Sequence, residues 1–175
     1  MPSTSFLPVD LLRWDRGPGG DVLVVPVWSD VRPLRGAAGL LDWRLCGRLS
    51  QLLRDGRLTG LAGEKLLLAT GRIPWQRVLA VGVGESTAFD DTALGQAMTC
   101  CLEALRKLGS HSMAIAFPGR DIDLVRPERA MRFFLEALAQ SEAALGPWLE
   151  RLTVIDATPP RNPRSPLDRS GTLSP

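Results

Sequence analysis

The sequence predicts a single α/β domain built round a largely parallel sheet, and three observations carry that prediction. Apolar runs of strand length alternate with segments of helical period. The chain has 175 residues, which suits one domain at roughly 100 to 200 residues each. Its residues are 45% hydrophobic and its mean hydropathy is near zero, so it can bury an ordinary core and is neither disordered nor fibrous.

The elements follow in chain order. A strand is expected near Phe6 to Trp14, at a sheet edge because Pro8 removes a ladder donor, with Gly17-Pro18-Gly19-Gly20 as the turn after it. Asp21 to Trp28 (DVLVVPVW) reads as the next strand. Between Ala38 and Asp55, Leu41, Leu45, Leu49 and Leu52 share one stripe and Arg44, Arg48, Gln51 and Asp55 another, which predicts an amphipathic helix stopped by Gly56. Lys65 to Thr70 and Arg77 to Val83 are strands. From Asp91 to Leu108, Leu94, Ala97, Met98, Cys101, Leu102 and Leu105 recur at spacings of three and four, with acidic residues at the helix start and Gly109 past its end. Met113 to Phe117 is a strand, a third helix opens at Pro127 and stops at Gly146-Pro147, and Leu152 to Asp156 is the last strand. The domain is thus set at residues 1–158, with 159–175 a proline-rich disordered tail.

Twenty-one basic against nineteen acidic residues leave a net charge of +2, too weak for the footprint of most nucleic-acid binders. Nineteen of the basic residues are arginine, and Lys65 and Lys107 are the two lysines. The three cysteines, Cys46, Cys100 and Cys101, are odd in number and lack C-x-x-C spacing, so they read as reduced core residues. The N-terminus has no basic region before an apolar stretch, and Pro26 interrupts the run Val22 to Trp28. A cytoplasmic protein that neither enters nor crosses a membrane is expected.

Few residues carry a chemical signal. Gly82-Val83-Gly84-Glu85-Ser86-Thr87 lies between a strand and a helix, where Gly82, Gly84, Ser86 and Thr87 are the candidates for cradling a phosphate. Thr87 replaces the third glycine of the dinucleotide fingerprint, and plain turn chemistry explains the other two. His111 is the only histidine and reads as a solvent-facing loop residue, with no G-x-S-x-G elbow to make a triad of it. Cys46 and Cys101, placed on helices, have no local signal for a lowered thiol pKa. Asp121 and Asp123 follow a strand end where α/β proteins place ligands, yet solvated loop carboxylates account for them. Arg44 and Arg48 could meet phosphates, or form a solvated face balanced by Asp55.

Several stretches resemble the N-terminal domain of the cytosolic leucine aminopeptidases, two-metal hexameric exopeptidases. The matching residues are Asp21 to Val27; Leu40-Leu41-Asp42 with Leu49 to Leu53; the G-x-L-x-G-x-x-G-E block from Gly56 to Glu64, preceded by Asp55; and Arg77 to Gly84 (RVLAVGVG). The resemblance runs from about Asp21 to Asp156. It implies a macro-domain-like, three-layer α/β/α fold with a mixed six-stranded sheet. It also implies that the lysine, aspartates and glutamate that bind metal in that family, and its bicarbonate-holding arginine, belong to a C-terminal domain that would start at the proline-rich tail. None of those positions exists in this sequence.

Two functions of different class follow. One is a non-catalytic, stand-alone module without cofactor or metal that binds a protein partner, or a second copy of itself, in a regulatory role. The other is a binder of a nucleotide or ADP-ribose through Gly82 to Thr87 and Pro118 to Asp123, by analogy with macro domains. DNA binding, known for some members of that family, would use Arg44 and Arg48, and the near-neutral charge speaks against it.

Overall fold

A computed structural model describes residues 1–157; the expected tail lies outside them. Six strands, β1 (Ser3–Leu7), β2 (Gly20–Trp28), β3 (Lys65–Ala69), β4 (Trp75–Gly84), β5 (Ser112–Ile115) and β6 (Arg151–Ile155), form one sheet in the order β1-β6-β5-β2-β4-β3. Every neighbouring pair is parallel except β3 with β4, where Lys65 sits opposite Val81 and Ala69 opposite Arg77. The sheet is therefore mixed and six-stranded.

Side-chain alternation explains the layers. Val22 and Val24 of β2, Leu79 and Val81 of β4, and Met113 and Ile115 of β5 face a core completed by α4 (Asp91–Lys107) and α5 (Pro127–Leu145). Their neighbours Leu23, Val25, Val78, Ala80 and Ala114 face a second core under α1 (Leu11–Asp15), α2 (Gly36–Arg44) and α3 (Arg48–Arg54). A central strand buried on both sides has no polar face to show, which is why β2 reads as a continuous apolar run.

The sequence reading needs three corrections. The strand expected over Phe6 to Trp14 ends at Leu7, and its C-terminal half is the short helix α1. The Asp10 carboxylate accepts the amides of Leu12 at 2.8 Å and Arg13 at 3.2 Å, which starts the helix and tucks Trp14 into the core. β1 is an edge strand all the same. The helix expected over Ala38 to Asp55 is two helices. Cys46 (φ 58°) and Gly47 (φ 79°) turn the chain between them, and Asp42 of α2 accepts the Leu49 amide at 2.7 Å and the Ser50 amide at 3.1 Å, serving α3 as a cap from outside. Leu41, Leu49 and Leu52 remain buried, so the stripe survives the break. Finally, of the cysteines only Cys101 is a core residue. Cys100 is half-buried, and Cys46 is exposed and stands in the break, not on a helix.

The α4 stripe is as the spacing predicts, with Leu94, Ala97, Met98, Cys101, Leu102 and Leu105 all buried. Leu102→Ala should cost about 2 to 5 kcal/mol through lost transfer energy and a cavity, while Arg106→Ala on the exposed face should stay within about 0.5. Denaturant titration of both variants checks this, and equal losses would contradict the assigned face.

Candidate functional site

The parallel strands β2, β4 and β5 end side by side. From β2 the chain runs outward to β3 and returns through β4, then crosses to β5 on the other side. Ligands of open α/β sheets bind at such a reversal, outside the carboxyl ends of the strands. Three loops leave the strands there: residues 29–35 after β2, 85–90 after β4, and 116–126 after β5.

Trp28 closes β2. Its Nε1 donates to Asp121 Oδ2 at 2.8 Å, and its ring meets Phe89 edge-on with centroids 4.9 Å apart. The second Asp121 oxygen is buried without a hydrogen-bond partner among the described residues. Burial pushes the Asp121 carboxyl above its ordinary value, and the Trp28 N–H only partly offsets this. Because the folded state holds this proton more tightly, Asp121 favours folding at low pH. Its contribution is lost as pH rises through the ordinary carboxylate value of about 3.9 and then the raised folded one. The Asp121→Asn variant should therefore gain on the parent protein between pH 4 and pH 7, read as denaturation midpoints at the two values; no change in the difference would contradict the buried charge.

On the loop after β2, exposed Asp30 reaches across to the turn that follows β4. Its carboxylate accepts the Ser86 amide at 3.0 and 3.1 Å and the Ser86 hydroxyl at 2.7 Å. The hydroxyl and then the amide of Ser86 hold Asp30 below its ordinary value, so the clamp is complete at neutral pH and is lost only as pH falls through that lowered value.

The glycine amides are also in use. Gly82 N donates to Glu64 O at 2.8 Å and Gly84 N to Gly60 O at 2.9 Å. A Cβ on Gly82 would stand 2.0 Å from the Leu61 carbonyl oxygen, and one on Gly60 2.3 Å from that of Trp28. These glycines let residues 60–64 lie directly against the ends of β2 and β4. Glu64 braces the same turn by accepting the Thr59 and Gly60 amides at 2.9 and 2.7 Å. Desolvation would raise its carboxyl, but the bonds from Thr59 and Gly60 outweigh that and lower it. The G-x-L-x-G-x-x-G-E block is thus a packing motif. Thr87 is exposed on the 3-10 turn Ser86–Ala88.

Two arginines of the strand-end loops make internal bonds, while the charge of exposed Arg35 acts on Asp121. Arg32 donates to the carbonyls of Trp28 and Val31, both at 2.7 Å. Arg120 holds Asp156 with two bonds of 2.7 and 3.0 Å and the Val125 carbonyl at 2.7 Å. Asp123 is exposed, 3.9 Å from Arg120. Sequence reasoning weighed Asp121 and Asp123 but missed Asp30, Trp28 and the Arg120–Asp156 pair, whose partners lie 36 to 93 residues away in the chain; no local pattern marks them.

The remaining candidates stand elsewhere. His111 is exposed at the opposite end of the sheet, with its Nδ1 3.0 Å from the Trp148 carbonyl. Arg44 pairs with Asp15, and Arg48 is exposed at the start of α3. A cleft of about 720 Å³ opens beside the break between α2 and α3, lined by Asp42, Trp43, Arg44, Cys46 and Arg72 among others. No residue of 82–87 lines it. Among the described residues, no group of three or more His, Cys, Asp or Glu could hold a metal ion, and no helix is long and apolar enough to cross a membrane.

Known proteins agree with the geometry. A probable cytosol aminopeptidase of Pseudomonas syringae pv. tomato is 35% identical over 121 residues, which are 69% of this chain and 24% of that protein. The chain thus spans about a quarter of the length of such relatives. A lysine-to-glutamate mutant of tomato leucine aminopeptidase superposes with a TM-score of 0.63 at 17% identity, covering 91% of this chain and 33% of that one. The Trypanosoma brucei macrodomain in complex with ADP-ribose superposes with a TM-score of 0.64 at 20% identity, covering 90% of this chain and 72% of that one. At such identities these two structures speak for the fold, which is macro-domain-like. Residues 24–142 match the N-terminal domain of the cytosol aminopeptidase family, and to that family this chain belongs.

Proposed function

We propose that this domain acts by binding a protein partner, without catalysing a reaction and without a phosphate ligand at its strand ends. The Asp30 clamp on Ser86 is the observation that carries this reading. An internal carboxylate already satisfies the amide and hydroxyl that would have received a phosphate, and a diphosphate approaching it would meet a negative charge in place of free donors. The amides of Gly82 and Gly84 are likewise spent on the chain itself. This reading puts the partner against β3, at one edge of the sheet. β3 is an edge strand paired on one side only, and Leu67 on it is 41% exposed, the arrangement that strand addition by a second chain exploits. The partner is another protein or a second copy of this one.

The competing reading, a nucleotide or ADP-ribose site, draws on the likeness to a macrodomain in complex with ADP-ribose, which is an analogy of fold. DNA is disfavoured by the small net charge of +2. One pure sample tests the proposal. Calorimetry with ADP-ribose should give no binding heat, and with added zinc or manganese the protein should release no leucine from leucine p-nitroanilide. Micromolar binding that disappears in Gly84→Val would overturn the partner reading in favour of a ligand-binding module. Metal-dependent release of leucine would overturn the non-catalytic one.

A further inference from the structure

Two of the three cysteine thiols touch a cation, and the cations differ in kind. Arg72 Nη1 lies 3.2 Å from the sulfur of Cys46, and Lys65 Nζ lies 3.3 Å from the sulfur of Cys100. A guanidinium stays protonated in proteins and offers no lone pair, whereas the amine of a lysine becomes a nucleophile once it gives up its proton. Lys65 begins the edge strand β3 and Cys100 lies in α4, and the Gly63 carbonyl oxygen stands 3.9 Å from the same sulfur. Gly63 is itself tied to β4, its amide donating to Gly82 O at 3.0 Å. The sulfur and the amine are therefore brought together by two packed segments.

We propose that Lys65 and Cys100 form a reversible oxidative cross-link, a nitrogen–sulfur bond between Nζ and Sγ made under peroxide. In the first step the Cys100 thiol is oxidised by hydrogen peroxide to a sulfenic acid, and one water leaves. In the second, the lone pair of the neutral Lys65 amine attacks that sulfur. The S–OH bond breaks, the hydroxyl departs with a proton from nitrogen as a second water, and a sulfenamide remains. The sum is one thiol, one amine and one peroxide giving one sulfenamide and two waters. Sulfur supplies both electrons that the peroxide takes up. Cys101 does not compete, because it is fully buried and burial pushes its thiol far up, out of the thiolate form that peroxide oxidises. The product ties the edge strand to the helix across 35 residues of chain, closing a loop that the reduced protein leaves open.

The test uses the full chain carrying Cys46→Ser, which removes the other accessible thiol. Peroxide treatment at mildly alkaline pH, followed by intact-mass measurement, should give a species lighter by about 2 Da that dithiothreitol reverses. Tryptic digestion should show lost cleavage at Lys65 and a peptide joining Lys65 to Cys100. The same two residues joined through one oxygen, heavier than the parent by about 14 Da with a second peroxide consumed and a third water released, would equally support the link. Lys65→Arg, which keeps the charge at an exposed position, should abolish either product while preserving the circular dichroism spectrum. Oxidation in urea should give neither. The proposal is overturned by sulfenic and sulfinic acids alone at Cys100, by a lighter species that persists in Lys65→Arg, or by equal yields from folded and unfolded protein.

Discussion

Gly82→Ala should destabilise the domain by more than about 3 kcal/mol, and Gly82→Val should fail to give soluble folded protein. The added Cβ would lie 2.0 Å from the Leu61 carbonyl oxygen and 2.9 Å from the Gly60 carbonyl carbon. These are backbone atoms and cannot swing aside as a side chain would. Relief requires moving residues 60–64 off β4, which breaks the Gly82–Glu64 and Gly84–Gly60 hydrogen bonds and opens the margin of a buried strand. Gly63→Ala is the control. That position has φ 82° but nothing within 4 Å of the added carbon, so it should cost only the left-handed strain of about 1 to 2 kcal/mol. Chemical denaturation of the two alanine variants decides the matter. A Gly82→Ala loss no larger than that of Gly63→Ala would mean that residues 60–64 move freely of the sheet.

Asp156→Ala is expected to cost about 3 to 5 kcal/mol. The Asp156 side chain is 3% exposed and that of Arg120 12%, so removing the carboxylate strands a guanidinium in a site where water cannot replace both bonds. A guanidinium stays protonated in proteins with or without its partner, so the charge remains in the variant and the penalty is felt at neutral pH. Replacing both partners with apolar residues, Arg120→Met with Asp156→Leu, should recover much of the loss, because the pair is worth less than the cost of breaking it. A double-mutant cycle by urea denaturation checks the coupling. A single-variant loss below about 1 kcal/mol would show that the pair is hydrated.

Both predictions rest on contacts that the sequence signals only in part. The glycines at 82 and 84 stand out as special positions after a strand, and their spacing invites a phosphate reading. What Gly82 accommodates is the carbonyl of Leu61, twenty-one positions earlier, and no window along the chain reveals that approach. Asp121 draws attention as a carboxylate at a strand end. Its burial and its bond to Trp28 depend on two loops from different strands meeting. Asp30 drew none, since an aspartate after a strand is ordinary until Ser86 is found against it.

Elements and kinship were legible for a local reason. The continuous apolar run Val22 to Val27, dry on both faces, and the three-and-four spacing of α4 follow from which faces are dry, a property each short window carries by itself. The ordered motifs from Asp21 to Gly84 were enough to point to the aminopeptidase N-terminal domain. The tertiary structure alone decided the strand order, the antiparallel direction of β3, the break at Cys46-Gly47 and the occupation of Ser86 by Asp30. Each of these is a choice among partners far apart in the chain, and a residue's own pattern is the same whichever partner it meets. The helix break shows the limit best: the leucine stripe continues across it, and only the reach of Asp42 to the amides of Leu49 and Ser50 makes two helices of one.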